Sequence, residues 1–168
     1  LGCRVARSGT DTPKDEGQFG VAMRYFAPWL NDTEFGVYGM QYHSRVPVIN
    51  AHTGTLAGLL GGNFAASSRY NLEYPEDIKL GGASFSTSLG LFSLQGEYAL
   101  RIDQPLQIDD VEILQAALAP GAVAAAAPGA VRNATAAAFS TNQVIRRMGG
   151  ITAANFSTFF DRDLKGYI

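Results

Sequence analysis

The sequence predicts a mainly β chain: an antiparallel meander, followed by an alanine-rich segment carrying short helices. Three observations carry that reading. Apolar and polar residues alternate with period two in several runs between Gln18 and Ile108, as they do on the two sides of a strand. Nineteen glycines and ten phenylalanines in 168 residues favour strands and turns. Only 17% of residues are charged although 46% are hydrophobic, whereas an ordinary soluble domain carries about 25% charge.

That low charge does not come from a membrane helix. The longest uncharged stretch, Ile113 to Val131, is built largely of alanine, glycine and proline, and a spanning helix needs about 20 predominantly apolar residues. The balance of 13 basic and 15 acidic residues, with no basic cluster, excludes nucleic acid as an expected partner. A single cysteine, Cys3, excludes an intrachain disulfide and a cysteine-based zinc site. Leu1-Gly2-Cys3 has the form of the end of a lipoprotein signal, but the rest of such a signal is missing. The expectation is a signal already removed, or a chain that begins partway through a longer protein.

Residues 1–17 are polar and predict a loop or flexible leader. Residues 18–108 form the block of antiparallel strands. Its first run sets Phe19, Val21, Met23 and Tyr25 against Gln18, Gly20, Ala22 and Arg24. Pro28 and Asn31-Asp32 then mark a hairpin-like connection. The next run extends from Glu34 to about Val48, with Tyr38, Met40 and Tyr42 opposite Val37, Gly39, Gln41 and His43. Gly54, Gly58, Gly61 and Gly62 fall in a glycine-rich stretch that predicts a flexible loop rather than a helix-packing motif. A further strand is expected from Ile78 to Leu89, with Gly90 at the break that follows.

The clearest strand comes next. Phe92, Leu94, Gly96, Tyr98, Leu100 and Ile102 alternate with Ser93, Gln95, Glu97, Ala99, Arg101 and Asp103. It is about twice the usual globular strand of roughly five or six residues. Roughly 9–11 residues is also the length of a strand tilted across a bilayer, with weak alternation as its signature. A long strand in a soluble sheet fits the same pattern, so both readings stay open at this point.

Residues 109–150 predict a loop with short helices. Asp109, Asp110 and Glu112 open a helix that Pro120-Gly121 should stop. Asn133 is placed to cap a second helix running to Met148 with a thin stripe of Ala137, Val144, Ile145 and Met148. Such a segment would lie beside the sheet or plug a lumen, unless it is a disordered linker. Residues 151–168 regain aromatics and predict a further strand or terminal segment.

No catalytic constellation is visible, and the expectation is a protein that is not an enzyme and holds no cofactor or metal. The two histidines, His43 and His52, lack a close acidic pair for a metal. A hydrolase built on His43 and Ser44 has no supporting spacing, and G-x-S-x-G is absent. No phosphate-cradling G-x-x-x-x-G-K occurs. Three N-x-S/T triplets, at Asn31, Asn133 and Asn155, are of a kind that chance produces often. More informative are the polar residues of the alternating strands. Arg24, Gln95, Glu97 and Arg101 would face the lumen of a barrel, because charge on the lipid side costs about 2–4 kcal/mol at mid-bilayer. In a soluble sheet they would be an ordinary solvated face. Tyr25, Trp29, Tyr38, Tyr42 and Tyr98 are candidates for an interfacial aromatic girdle, and equally acceptable as core residues.

Two stretches together carry a family resemblance. One runs from Gly17-Gln18-Phe19-Gly20-Val21-Ala22-Met23-Arg24-Tyr25 through Leu30-Asn31-Asp32-Thr33-Glu34-Phe35-Gly36 to Tyr42-His43-Ser44-Arg45-Val46-Pro47-Val48-Ile49. The other comprises Tyr74-Pro75-Glu76-Asp77-Ile78, Ser93-Leu94-Gln95-Gly96-Glu97 and Gln104-Pro105-Leu106-Gln107-Ile108. The chain resembles, best over residues 17–108, the Gram-negative outer-membrane family called domain of unknown function 1302. The resemblance implies part of a transmembrane β-barrel in the outer membrane, in contact with membrane lipid or detergent. It also implies passage or export of hydrophobic solutes or lipids, with a periplasmic partner. Family members run to several hundred residues, so the expectation is a piece of a larger barrel or a truncated relative. The alternative is a soluble, secreted or cell-surface β-protein that self-assembles or binds a partner through open sheet edges.

Overall fold

Alternation becomes pairing in the computed structural model, which describes residues 4–168. The strands are β1 (Ala6–Asp11), β2 (Phe19–Ala27), β3 (Thr33–Tyr42), β4 (Val48–His52), β5 (Arg69–Glu73), β6 (Ile78–Leu89), β7 (Phe92–Ile102) and β8 (Asp163–Leu164). The helices are α1 (Leu56–Leu60), α2 (Phe64–Ser67), α3 (Asp110–Ala125), α4 (Ala130–Ala138) and α5 (Gln143–Arg147), with a 3₁₀ turn at Phe156–Phe159. Strand outweighs helix, and the strands form two largely antiparallel sheets. The described residues do not close a barrel. None of their helices is long and apolar enough to cross a membrane. Cys3 lies outside the described residues.

The chain forms two compact units. A sheet unit takes residues 13–46 and 74–104, and a helical unit takes residues 4–12, 47–73 and 105–168. Three of the four crossings between them carry a proline, Pro13, Pro47 or Pro105. Proline has no N–H to extend a ladder.

The sheet unit is a continuous antiparallel meander in the order β2-β3-β6-β7. The β2–β3 turn uses Asn31 and Asp32 at φ 48 and 52, a left-handed conformation that short polar side chains tolerate. The β6–β7 turn is a tight loop with Gly90 at φ 63, the residue type such hairpins require. Strand β3 stops at Tyr42, short of the expected Val48. The buried His43 turns inward there, donating from Nε2 to the Glu16 carbonyl at 2.8 Å and accepting the Asp77 amide on Nδ1 at 3.1 Å.

In the helical unit the sheet order is β1-β5-β4-β8. Four expectations need correction here. The leader is not all loop: β1 pairs in parallel with β5, with a register shift between Arg7 and Gly9. Its six residues are all exposed, so backbone pairing forms the strand without an apolar side chain to announce it. The meander is not continuous over residues 18–108, because β4, α1, α2 and β5 depart to this second sheet. The glycine-rich stretch is not all loop: Gly58 lies within α1, with Gly54 before it and Gly61 and Gly62 in the turn that follows. Thr55 caps α1 by accepting the Gly58 amide at 3.0 Å, and Gly58 leaves no room for a Cβ beside Ser67. Finally, Pro120-Gly121 does not stop α3. The Phe64 ring sits where a Gly121 Cβ would lie, and Ile113, Ala116, Ala117, Ala119, Pro120 and Val123 are buried. Tertiary packing outweighs the lost hydrogen bond at proline.

The second helix likewise starts elsewhere than Asn133. Gly129, at φ 84, precedes α4, and it is Asn142 that caps α5, accepting the Ile145 amide at 3.1 Å. Val144 and Ile145 are buried as the stripe requires, but Ala137 is exposed. The core gathers Ala51, Ile113, Val123, Ile145, Phe159 and Leu164 around the alanines of α3. Alanine there lets neighbouring backbones approach. Gly166 packs so closely that a Cβ would come within 1.7 Å of the Ile49 carbonyl oxygen. Residues 151–168 supply the 3₁₀ turn and the short β8, which pairs with β4.

Candidate functional site

The register of the sheet unit sorts its side chains into two unlike faces. Residues directly opposite one another share a face, so cross-strand rows can be read from the pairing. The apolar face has the rows Phe19, Gln41, Lys79, Ile102; Val21, Gly39, Gly81, Leu100; Met23, Val37, Ala83, Tyr98; and Tyr25, Phe35, Phe85, Gly96. Leu94, Leu89 and Phe92 continue it toward the β6–β7 turn. Lys79 is the one charged residue on this face, and it lies in the row farthest from the turns.

Nothing covers this face within the sheet unit. Val21, Met23 and Tyr98 are 64%, 67% and 71% exposed. Burying a large apolar side chain is worth about 1.5–3 kcal/mol, and exposed apolar patches beyond a few hundred Å² mark binding surfaces. From Ile102 to Phe92 the apolar residues extend roughly 33 Å along β7 at about 3.3 Å per residue. At a tilt of about 45° that is ~23 Å of height, close to the apolar band of about 25 Å on membrane barrels.

The opposite face is mixed, with the apolar Phe26, Met40 and Leu80 among small and polar residues. Arg24, Glu97, Gln95 and Arg101 stand on it together, beside Glu34, Gly36, Gly82, Ser84 and Ser86. Arg24 Nε is 3.6 Å from Glu34, and both side chains are solvent-accessible. The Tyr38 hydroxyl donates to the Glu97 carboxylate. To reach it the Tyr38 ring crosses Gly82, where a Cβ would overlap its atoms. On the apolar face Phe85 lies over Gly96 in the same way. Each ring covers a glycine on the next strand, and each pair fixes the register on its own face. Around Ser84, Ser86, Gln95 and Glu97 the surface has a depression of about 460 Å³.

The five aromatic candidates separate. Tyr25 and Tyr98 stand on the apolar face, while Tyr38 and Tyr42 stand on the polar face. Trp29, 75% exposed, sits in the β2–β3 turn. The sequence reading missed Phe35 and Phe85, which extend the Tyr25 row across three strands, and Glu34, which pairs with Arg24. The signal was available in part: a five-residue connection from Pro28 to Asp32 sets Ala27 opposite Thr33 and so Tyr25 opposite Phe35.

The helical unit has a polar surface of its own. One side of its sheet carries Asp11, Asn71, Arg69, His52 and Asp163, which line a depression of about 480 Å³. His52 Nε2 is 3.6 Å from Asp161 and 3.9 Å from Asp163. Along the same sheet the Glu73 carboxylate accepts from Lys165 at 2.9 Å, from Tyr167 at 3.1 Å and from Asn50. Partial burial pulls the Glu73 carboxyl upward, but the hydrogen bonds from Lys165 and Asn50 outweigh it and hold the group below the usual carboxylate range. Its hydrogen bond to Glu73 raises the Lys165 ammonium above the ordinary lysine value. Among the described residues no group of three or more His, Cys, Asp or Glu side chains is placed to hold a metal ion.

The model of one family, described as Protein of unknown function (DUF1302), matches residues 1–167. No curated protein and no solved structure matches the chain.

Proposed function

The chain belongs to the DUF1302 family, and from that premise we propose that it is a non-catalytic segment of an outer-membrane β-barrel that passes or exports hydrophobic solutes or lipids. One observation carries the reading. Four adjacent strands present an exposed, almost uncharged face of bilayer height, and the charges Arg24, Glu34, Glu97 and Arg101 are confined to the other face. In water the apolar face is costly; against acyl chains it is satisfied. Arg24, Gln95, Glu97 and Arg101 then line the lumen, Trp29 lies at the approach to the membrane boundary, and Tyr25 and Tyr98 lie within the apolar band. The solute class and a periplasmic partner come from the family resemblance. Removing detergent from the purified chain tests the proposal. Vesicle insertion or precipitation is expected, and a stable monomer in detergent-free buffer overturns it.

A second reading rests on the edges. The outer sides of β2 and β7 have no strand beside them among the described residues, and open edges invite strand addition. Ordered filaments formed without lipid would favour this self-assembling, secreted or cell-surface protein.

A further inference from the structure

Resting on the membrane reading above, we infer that the sheet crosses the outer membrane with its two hairpin turns toward the periplasm and the end bearing Gln41 and Lys79 toward the cell exterior. Connection length sets the direction. At one end of the sheet the strands are joined by residues 28–32 and residues 90–91. At the other end β3 is joined to β6 by residues 43–77, and β7 leads into residues 103–168. Outer-membrane barrels keep short turns on the periplasmic side and long connections outside.

The composition of the apolar face sets the depth. Toward the turns lie Leu89 and Phe92 and the exposed Trp29, with no charge at that end of the face. Aromatic rings of this kind sit at the headgroup boundary. At the far end the row contains Gln41 and Lys79. A lysine there keeps its stem in the apolar layer and carries its ammonium to lipid phosphate. The hydrocarbon layer thus lies between these two ends of the face, which leaves Leu91 and Trp29 in one compartment and Val46 in the other. These residues are 100%, 75% and 72% exposed.

The test uses the full-length protein in Gram-negative cells, with native cysteines replaced by serine and one cysteine introduced by Val46→Cys, Leu91→Cys or Trp29→Cys. A membrane-impermeant PEG-maleimide is added to intact and to permeabilised cells, and outer-membrane fractionation is measured in parallel. Val46→Cys should label fully in intact cells, and the two turn variants only after permeabilisation. Using both turns guards against one variant that fails to assemble. The reverse pattern, or equal labelling of both ends in intact cells, overturns the orientation while leaving the membrane reading intact. Absence of the protein from the outer-membrane fraction overturns the membrane reading itself.

Discussion

At the scale of single residues, Glu73 gathers the C-terminal segment onto the sheet of the helical unit. It accepts from Lys165, Tyr167 and Asn50, and its lowered pKa makes this a pH-dependent tie. A carboxyl depressed in the folded state contributes fully above its unfolded value and loses that contribution as pH falls through the folded one. Lys165, raised in the folded state, loses its share only as pH climbs through its own folded value. With Glu73 and Lys165 side chains 24% and 61% exposed, screening limits the pair to about 1 kcal/mol or less. Glu73→Gln should therefore lower the melting temperature slightly at neutral pH and flatten the loss of stability below about pH 4. Unfolding curves at pH 4 and 7 that change in parallel would count against this. No sequence pattern announces the tie, because its members are separated by long stretches of chain. By contrast, Arg24, Gln95, Glu97 and Arg101 were legible as strand-face residues from alternation alone. Their partners Glu34 and Tyr38 were not, because pairing requires the register between strands.

At the scale of elements, the strands were the most legible part of the chain. The alternation in β2, β6 and β7 is strong, and Asn31-Asp32 and Gly90 mark both turns. The helices were less so: burial carries α3 through Pro120, and Asn142 rather than Asn133 supplies a cap. The two faces of the sheet make a quantitative prediction. Val37 lies mid-face on the apolar side, and Ala99 on the polar side. Val37→Arg should destabilise the membrane-inserted protein by about 2–4 kcal/mol, against roughly 1 kcal/mol or less for Ala99→Arg. Urea unfolding from vesicles measures both, and equal costs would mean that the two faces meet the same solvent.

At the scale of the whole molecule, the division into two units was not legible. Residues 47–73 follow the meander in sequence but join a different sheet, and periodicity does not say which sheet a strand enters. The two units bury their apolar residues differently. The helical unit has a buried core centred on Ile113, which has no exposed surface, whereas the sheet unit exposes its apolar residues. Ile113→Ala should cost the helical unit about 2–5 kcal/mol, with loss of helical circular dichroism while protected strand amides persist in detergent. Loss of both together would show a single cooperative fold. The crossings between the units have a wider meaning. The chain enters and leaves the meander only at the end away from its hairpins, three times beside a proline that cannot prolong a ladder. Segments spliced in there can lengthen, shrink or be exchanged among descendants without shifting a single strand register.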